Sequence, residues 1–223
     1  MNPKFLHNDF SHSLFTKECS TATSVSIESK KGLQQGFINV EVLLNEIDYK
    51  FINDKANLIE LADYLVIDAN FPSRVIERVL YLANRSEIWL DPTDALKVPS
   101  LFEALGEWPL ENVDVFSPNF NELRAFSVCF SQKVGGTEAI KCSQFVCQVE
   151  EKLTNKNNFL LEWLSTIKLP RALQPRKYLI ITFDLYGVLI FSRMGNDEFL
   201  GEFLVAPDLS KEEILSASGA GDW

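Results

Sequence analysis

The sequence predicts an α/β fold built around a mostly parallel central sheet, and three stretches carry the prediction. In "YLVIDANFPSRVIERVLYLAN", "EIWLDPTD" and "NVDVFSPNFNELRAFSV", a short apolar run ends abruptly in polar residues. In the first and third a helical pattern follows at once. Parallel neighbours need a crossover of a dozen or more residues, usually a helix, so the repeated order of strand, polar end and helix implies successive βαβ units.

Each element has its own justification. Residues 1–20 form a polar leader, read as poorly ordered, and 21–50 a β segment that opens on β-branched residues with a turn candidate at Lys30-Lys31-Gly32. Residues 51–223 form one α/β domain. Within it "NDKANLIEL" is helical and Tyr64 to Ile67 reads as a short buried strand. Pro72 suits a first helical turn, and Val75, Ile76, Val79, Leu80 and Leu82 recur at helical spacing. Ile88 to Leu90 and Val113 to Phe116 are the next strands, and a helix-rich region covers "TEAIKCSQFVCQVEEKLTNKNNFLLEWLSTIKL". "YLIITFDLYGVLIFSR" contains two apolar runs separated by "DLYG", the spacing of a hairpin or of a strand and turn into a neighbouring strand. A further strand lies around Phe203 to Val205, and a last apolar step at Ile214 and Leu215.

Composition narrows the function classes. A chain of 223 residues with 46% hydrophobic and 23% charged residues has the proportions of a folded domain. Its net charge of −10 supplies no field to attract a nucleic-acid backbone. A phosphorylated ligand needs only a local patch of N–H groups or a bound cation, and stays open. Cys19, Cys129, Cys142 and Cys147 include no CxxC pair and fit a reduced, intracellular protein. No apolar run reaches the length of a membrane span or a signal peptide, so the expectation is a cytoplasmic protein without a membrane partner.

In open parallel sheets, ligands gather beyond the carboxyl ends of the strands. Asp68 and Asn70, then Asp91, Thr93 and Asp94, then Asn119, Asn121 and Glu122 fall at such ends, and their oxygens suit Mg²⁺ held directly or through water. The same residues have plainer uses. Asp68 and Asp91 can start turns, and Asn119 with Glu122 three positions on has the spacing of a capping box. The string "GAGD" at Gly219, Ala220, Gly221 and Asp222 lets a phosphate approach successive N–H groups beside a carboxylate able to take a proton. His7 and His12 lie in the leader, so the body of the chain has no histidine for a triad or a zinc site. Neither a Walker loop nor GxGxxG is present.

Several of these stretches together resemble the ribokinase-like, or PfkB-type, carbohydrate and nucleoside kinases. "SASGAGD" looks like the second signature of that family, "DVFSPNFNEL" like its strand with Pro-Asn and a following glutamate, and "IWLDPTDALKVP" and "YLIITFDLYGVLIF" like its neighbouring strands. "DPTD", "SPNFNELRA" and "SASGAGD" further look like the pseudouridine kinase branch, sometimes fused to a pseudouridine monophosphate glycosidase. The resemblance implies a partial ribokinase-like three-layer fold with 21–50 as a lid-like β segment. It also implies ATP and Mg²⁺ as cofactors, and a hydroxyl of pseudouridine or a related nucleoside or sugar as acceptor.

By that likeness Asp222 is the catalytic base and Gly219, Ala220 and Gly221 form the anion hole. Asn119 and Glu122 organise Mg²⁺ and the ATP phosphates through water, while Thr182 and Gly187 lie near the nucleotide. Three positions depart from the family: Asp184 stands where a glycine is usual, Ser216 where an acidic residue is, and Ala217 where a hydroxyl residue is. The likeness covers about residues 60–222 and begins late in the family's domain. It implies that the early sugar-reading strands and the helix after GAGD lie outside this chain, and that the chain alone has little or no kinase activity. The alternative is a noncatalytic binding or dimerisation module, pairing as a homodimer through the lid-like segment.

Overall fold

A computed structural model describes residues 13–29, 32–39, 41–106, 110, 112–134, 174–194 and 198–206. Strands β1 (Thr23–Ser29) and β2 (Gly32–Asn39) pair antiparallel as a two-stranded sheet of their own, with an irregularity between Ile27 and Glu28. Segment 21–50 is therefore β-structure only as far as Asn39. Helix α1 (Glu41–Asn45) follows, then α2 (Tyr49–Asp54), whose N-cap Asp48 accepts a 2.8 Å hydrogen bond from the Phe51 N–H, and α3 (Ala56–Glu60).

The larger sheet takes its strands in chain order. They are β3 (Tyr64–Asp68), β4 (Glu87–Asp91), β5 (Val115–Phe116), β6 (Tyr178–Thr182), β7 (Gly187–Met194) and β8 (Glu198–Val205). From β3 to β6 all neighbours are parallel, whereas β6–β7 and β7–β8 are antiparallel. Helix α4 (Ser73–Leu82) joins β3 to β4, α5 (Val98–Leu105) lies between β4 and β5, and α6 (Phe120–Val134) follows β5. The expected βαβ grammar is thus present.

Alternation along the strands decides where the core sits. Ile67, Ile88, Leu90, Phe116, Leu179, Ile181 and Leu189 point to one face and are buried there. The helices meet that face with Val75, Ile76 and Val79 of α4, Leu101 and Phe102 of α5, and Leu123 and Phe126 of α6. The Phe126 ring stands edge-on to Phe116 at 5.0 Å and to Phe102 at 5.5 Å, so a single aromatic joins α5, α6 and the sheet.

Several expectations shift. Among the described residues β3 is the edge of the sheet and only half buried: Ile67 is in the core, whereas Tyr64 and Val66, on the opposite face, are 74% and 75% exposed. The strand expected from Val113 narrows to Val115–Phe116, because Asp114 turns its carboxylate inward. β8 is longer than expected, beginning at Glu198. The helix-rich stretch around 137–169, the step at Ile214 and Leu215, and GAGD lie outside the described residues. Among the described residues no helix is long and apolar enough to cross a membrane.

Candidate active site

Four strands of the larger sheet point their carboxyl ends the same way, which gathers the polar residues that end them on one rim. Asp68 ends β3, and its Oδ1 accepts from the Asn70 N–H at 2.9 Å. Asp91 ends β4 and does the same for Thr93 at 2.7 Å, and its carbonyl accepts from the Ala69 N–H at 3.0 Å. The turn reading of both aspartates is therefore realised. Their side chains shape the two loops, and the backbone bond from Ala69 to Asp91 joins them.

Thr93 has φ 59°, a left-handed conformation that a β-branched residue rarely takes. The Asp91 hydrogen bond holds it there, and the next residue, Asp94, accepts from the Leu96 N–H at 2.8 Å. Lys97, the residue before α5, donates from Nζ to Asn70 Oδ1 and links this loop back to the one after β3.

At the start of α6, Asn119 and Glu122 close a reciprocal box. The Asn119 N–H donates to Glu122 Oε2 at 2.7 Å, Asn119 Nδ2 donates to Glu122 Oε1 at 2.7 Å, and the Glu122 N–H donates to Asn119 Oδ1 at 2.9 Å. Glu122 is buried while Asn119 and Asn121 are exposed. Asn119 also bridges in parallel fashion to Thr182, and the Thr182 N–H donates to the Pro118 carbonyl at 3.2 Å. Asn119, Glu122 and Thr182 are thus neighbours across the ends of β5 and β6.

The rim is electrostatically acidic. Burial pushes the Glu122 carboxyl above the ordinary carboxylate value, the Asn119 N–H pulls it back, and the charges of Asp91 and Asp94 push it up further. Burial likewise raises Asp91, opposed by the Thr93 N–H and reinforced by Asp68. Four carboxylates lie within reach of one another's fields, an environment that favours a cation and accepts a phosphate only in company with one.

Glu122 has a protein donor on each oxygen, and among the described residues no group of three or more His, Cys, Asp or Glu side chains is arranged to hold a metal ion directly. The donor set nevertheless fits Mg²⁺ that retains several of its waters, since hard oxygen acceptors can meet the hydration shell without displacing it.

Beyond Thr182 the chain turns through a 3₁₀ segment (Asp184–Tyr186) into β7. Asp184 has φ 52°, so the position has the left-handed backbone that glycine takes most easily. Gly187 has φ 131°, and a Cβ there would lie 2.0 Å from the Leu204 carbonyl oxygen. In the structure its lack of a side chain serves the close approach of β8. Asp222 and Gly219 to Gly221 lie outside the described residues. The Thr93 conformation and the Lys97–Asn70 contact had no signal in the sequence, because each depends on how two loops meet.

No family model matches the sequence, and no curated protein matches it either. Solved structures do. The apo adenosine kinase of Trypanosoma brucei brucei superposes with a TM-score of 0.56 at 12% identity, covering 93% of this chain and 56% of that one. Adenosine kinase of Anopheles gambiae, in complex with a di-adenosine tetraphosphate, gives 0.51 at 16% identity over 80% of this chain and 47% of that one. Ribokinase of Giardia lamblia gives 0.50 at 16% identity over 91% and 52%. The chain spans about half the length of these structures. At identities this low the superpositions show the fold alone, an α/β, ribokinase-like sheet with helices packed on it.

Proposed function

We propose that this chain carries part of an ATP-dependent phosphotransferase that acts on a hydroxyl of a nucleoside or sugar, with pseudouridine as the preferred acceptor to test. The observation that supports it most is the Asn119–Glu122 box beside Thr182, on the rim of a ribokinase-like sheet. Phosphoryl transfer asks little covalent chemistry of a protein; it depends on positioning and on neutralising charge around the phosphates.

In this reading Asn119 and Glu122 orient the water shell of Mg²⁺, and the metal supplies charge compensation for the ATP phosphates when bound. The two hydrogen bonds to Glu122 fix the Asn119 amide, and its Oδ1 keeps a second lone pair for a metal-bound water. Thr182 and the turn to Gly187 border the nucleotide. Asp222 takes the proton of the acceptor hydroxyl, and the N–H groups of Gly219, Ala220 and Gly221 meet the transferring phosphoryl group.

The test is ATP consumption with pseudouridine, ribose and adenosine as acceptors. Turnover by this chain is expected to be low and to disappear in Asp222→Asn. Turnover that survives Asp222→Asn contradicts the role of that carboxylate, and failure to bind ATP with Mg²⁺ contradicts the reading as a whole.

A second reading, a noncatalytic dimerisation module, draws on the β1–β2 hairpin, which pairs with no other strand among the described residues. Such a pair of edges can be extended by another chain. A monomer over a broad concentration range in sedimentation velocity would count against it.

A further inference from the structure

At the open edge of the larger sheet, β3 pairs with β4 on one side and with no other strand among the described residues. The register decides which of its backbone groups are committed. The Glu87 N–H donates to the Asp63 carbonyl and the Ala69 N–H to the Asp91 carbonyl, so the odd-numbered residues turn their hydrogen-bonding groups to β4. Tyr64, Val66 and Asp68 therefore turn theirs outward, as a row of alternating donors and acceptors along the edge.

Nothing in the strand blunts that edge. Tyr64–Asp68 holds no lysine or proline, and its register with β4 runs without a bulge. The Tyr64 and Val66 side chains stand exposed on the face away from the described helices. An extended segment that paired there would gain a full ladder and cover both side chains.

Spacing selects the occupant. The outward groups recur at every second residue and are centred on Val66, so a two-fold axis at Val66 pairs the strand antiparallel with its own copy. Val66 then lies opposite the partner's Val66, and Tyr64 opposite the partner's Asp68. Every outward N–H of one copy meets an outward carbonyl of the other, whereas a slip of two residues leaves one end of the row unpaired. Charge permits the same register: Asp68, the one ionisable carboxylate of the strand, faces a tyrosine rather than a second carboxylate, and the exposed valines face each other.

We propose that β3 is a homodimerisation edge, at which two copies of this chain join their larger sheets antiparallel about Val66. The surface is distinct from the β1–β2 hairpin. It sets the two strand-end rims at opposite ends of the joined sheet, and it stands whether or not either rim binds ATP.

A contact of this size belongs to the weak class of interfaces. Sedimentation equilibrium of the full chain between about 5 and 500 μM should show a reversible dimer with a dissociation constant on the order of 100 μM. Because Val66 faces itself, Val66→Lys and Val66→Glu should each weaken the dimer about fivefold by setting like charges opposite each other. An equimolar mixture of the two should recover the association as a heterodimer. The position is exposed, so both variants should keep the wild-type circular dichroism spectrum, and uncharged, β-branched Val66→Thr should dimerise as the wild type does. In the wild type, without any substitution, amide hydrogen exchange of the β3 peptide should slow as concentration rises across the same range.

The proposal is overturned if the chain stays monomeric throughout, as it would with a segment of its own over the edge, or if exchange in β3 is indifferent to concentration. It is equally overturned if Val66→Lys dimerises like the wild type, as it would through the hairpin, or if mixing the two charge variants restores nothing. ATP titrations report on the rim alone, so a failure there and a failure here are told apart.

Discussion

A methyl group at Gly187 would sit 2.0 Å from the Leu204 carbonyl oxygen and 2.9 Å from the Ala206 nitrogen, both backbone atoms of the neighbouring strand region. The φ of 131° is also closed to side-chain-bearing residues. Gly187→Ala is therefore expected to destabilise the fold by at least about 2 kcal/mol, read as a lower midpoint in denaturant unfolding. An unchanged midpoint would remove this account of the β7–β8 contact. Asp91 offers a second measurement at the same scale. Its folded-state pKa is raised, chiefly by burial, so the folded protein binds the proton more tightly than the unfolded chain does. The sign follows by linkage: this group favours folding at low pH, and the contribution is lost as pH rises from the ordinary carboxylate value through the raised one. Asp91→Asn keeps an oxygen for the Thr93 N–H and removes the charge, so it should flatten that fall in stability. The check is a series of unfolding midpoints across the acidic range, and parallel wild-type and variant curves would contradict it. Of the residues on this rim, the Asn119–Glu122 pairing was legible from a spacing of three before a helical pattern, because a capping box is local. Left-handed Thr93 and the Lys97–Asn70 link were not, because they express the meeting of separate loops.

At the scale of elements, Asp114 explains why β5 is so short. Its Oδ2 accepts from the Ile88 N–H at 2.9 Å, its own N–H donates to the Ile88 carbonyl at 2.9 Å, and its carbonyl accepts from the Lys177 and Tyr178 N–H groups. A side chain thus completes the ladder between β4 and β6 at the point where β5 has not yet begun. Lys177 Nζ lies 3.9 Å from the same carboxylate and 2.6 Å from Glu87 Oε1. Asp114→Ala leaves the Ile88 N–H without its side-chain acceptor and should cost about 1–3 kcal/mol, seen in thermal or denaturant unfolding. Asp114→Asn retains an acceptor and should cost less; equal losses would contradict the hydrogen-bond explanation. The string "VDVF" gives no hint of this, since an aspartate between valines reads as an ordinary outward-facing strand position. The βαβ succession itself was legible because apolar runs, polar ends and helical spacing recur in order. The edge position of β3 was not, since "YLVID" suits a central strand equally well, and Tyr64 and Val66 are exposed because they lie, with Trp89 and Tyr178, on the face away from the described helices.

Over the whole molecule, the described helices α4 to α6 pack on one face of the sheet and Tyr64, Val66, Trp89 and Tyr178 are exposed on the other. The parallel strands that align their carboxyl ends also concentrate Asp68, Asp91, Asp94 and Glu122, so the topology that builds the core creates the acidic rim. That coupling of fold to charge is why a magnesium-bound phosphate is the proposed ligand there and a bare anion is not. The central claim is that this rim engages ATP through Mg²⁺ ordered by Asn119 and Glu122. Calorimetric titration of the full chain with ATP, in the presence and absence of Mg²⁺, tests it most directly when repeated on a folded Glu122→Ala variant. The account predicts binding that requires Mg²⁺ and weakens about tenfold in the variant, equivalent to about 1.4 kcal/mol. No binding with Mg²⁺ present, or binding indifferent to both the metal and Glu122, would contradict it.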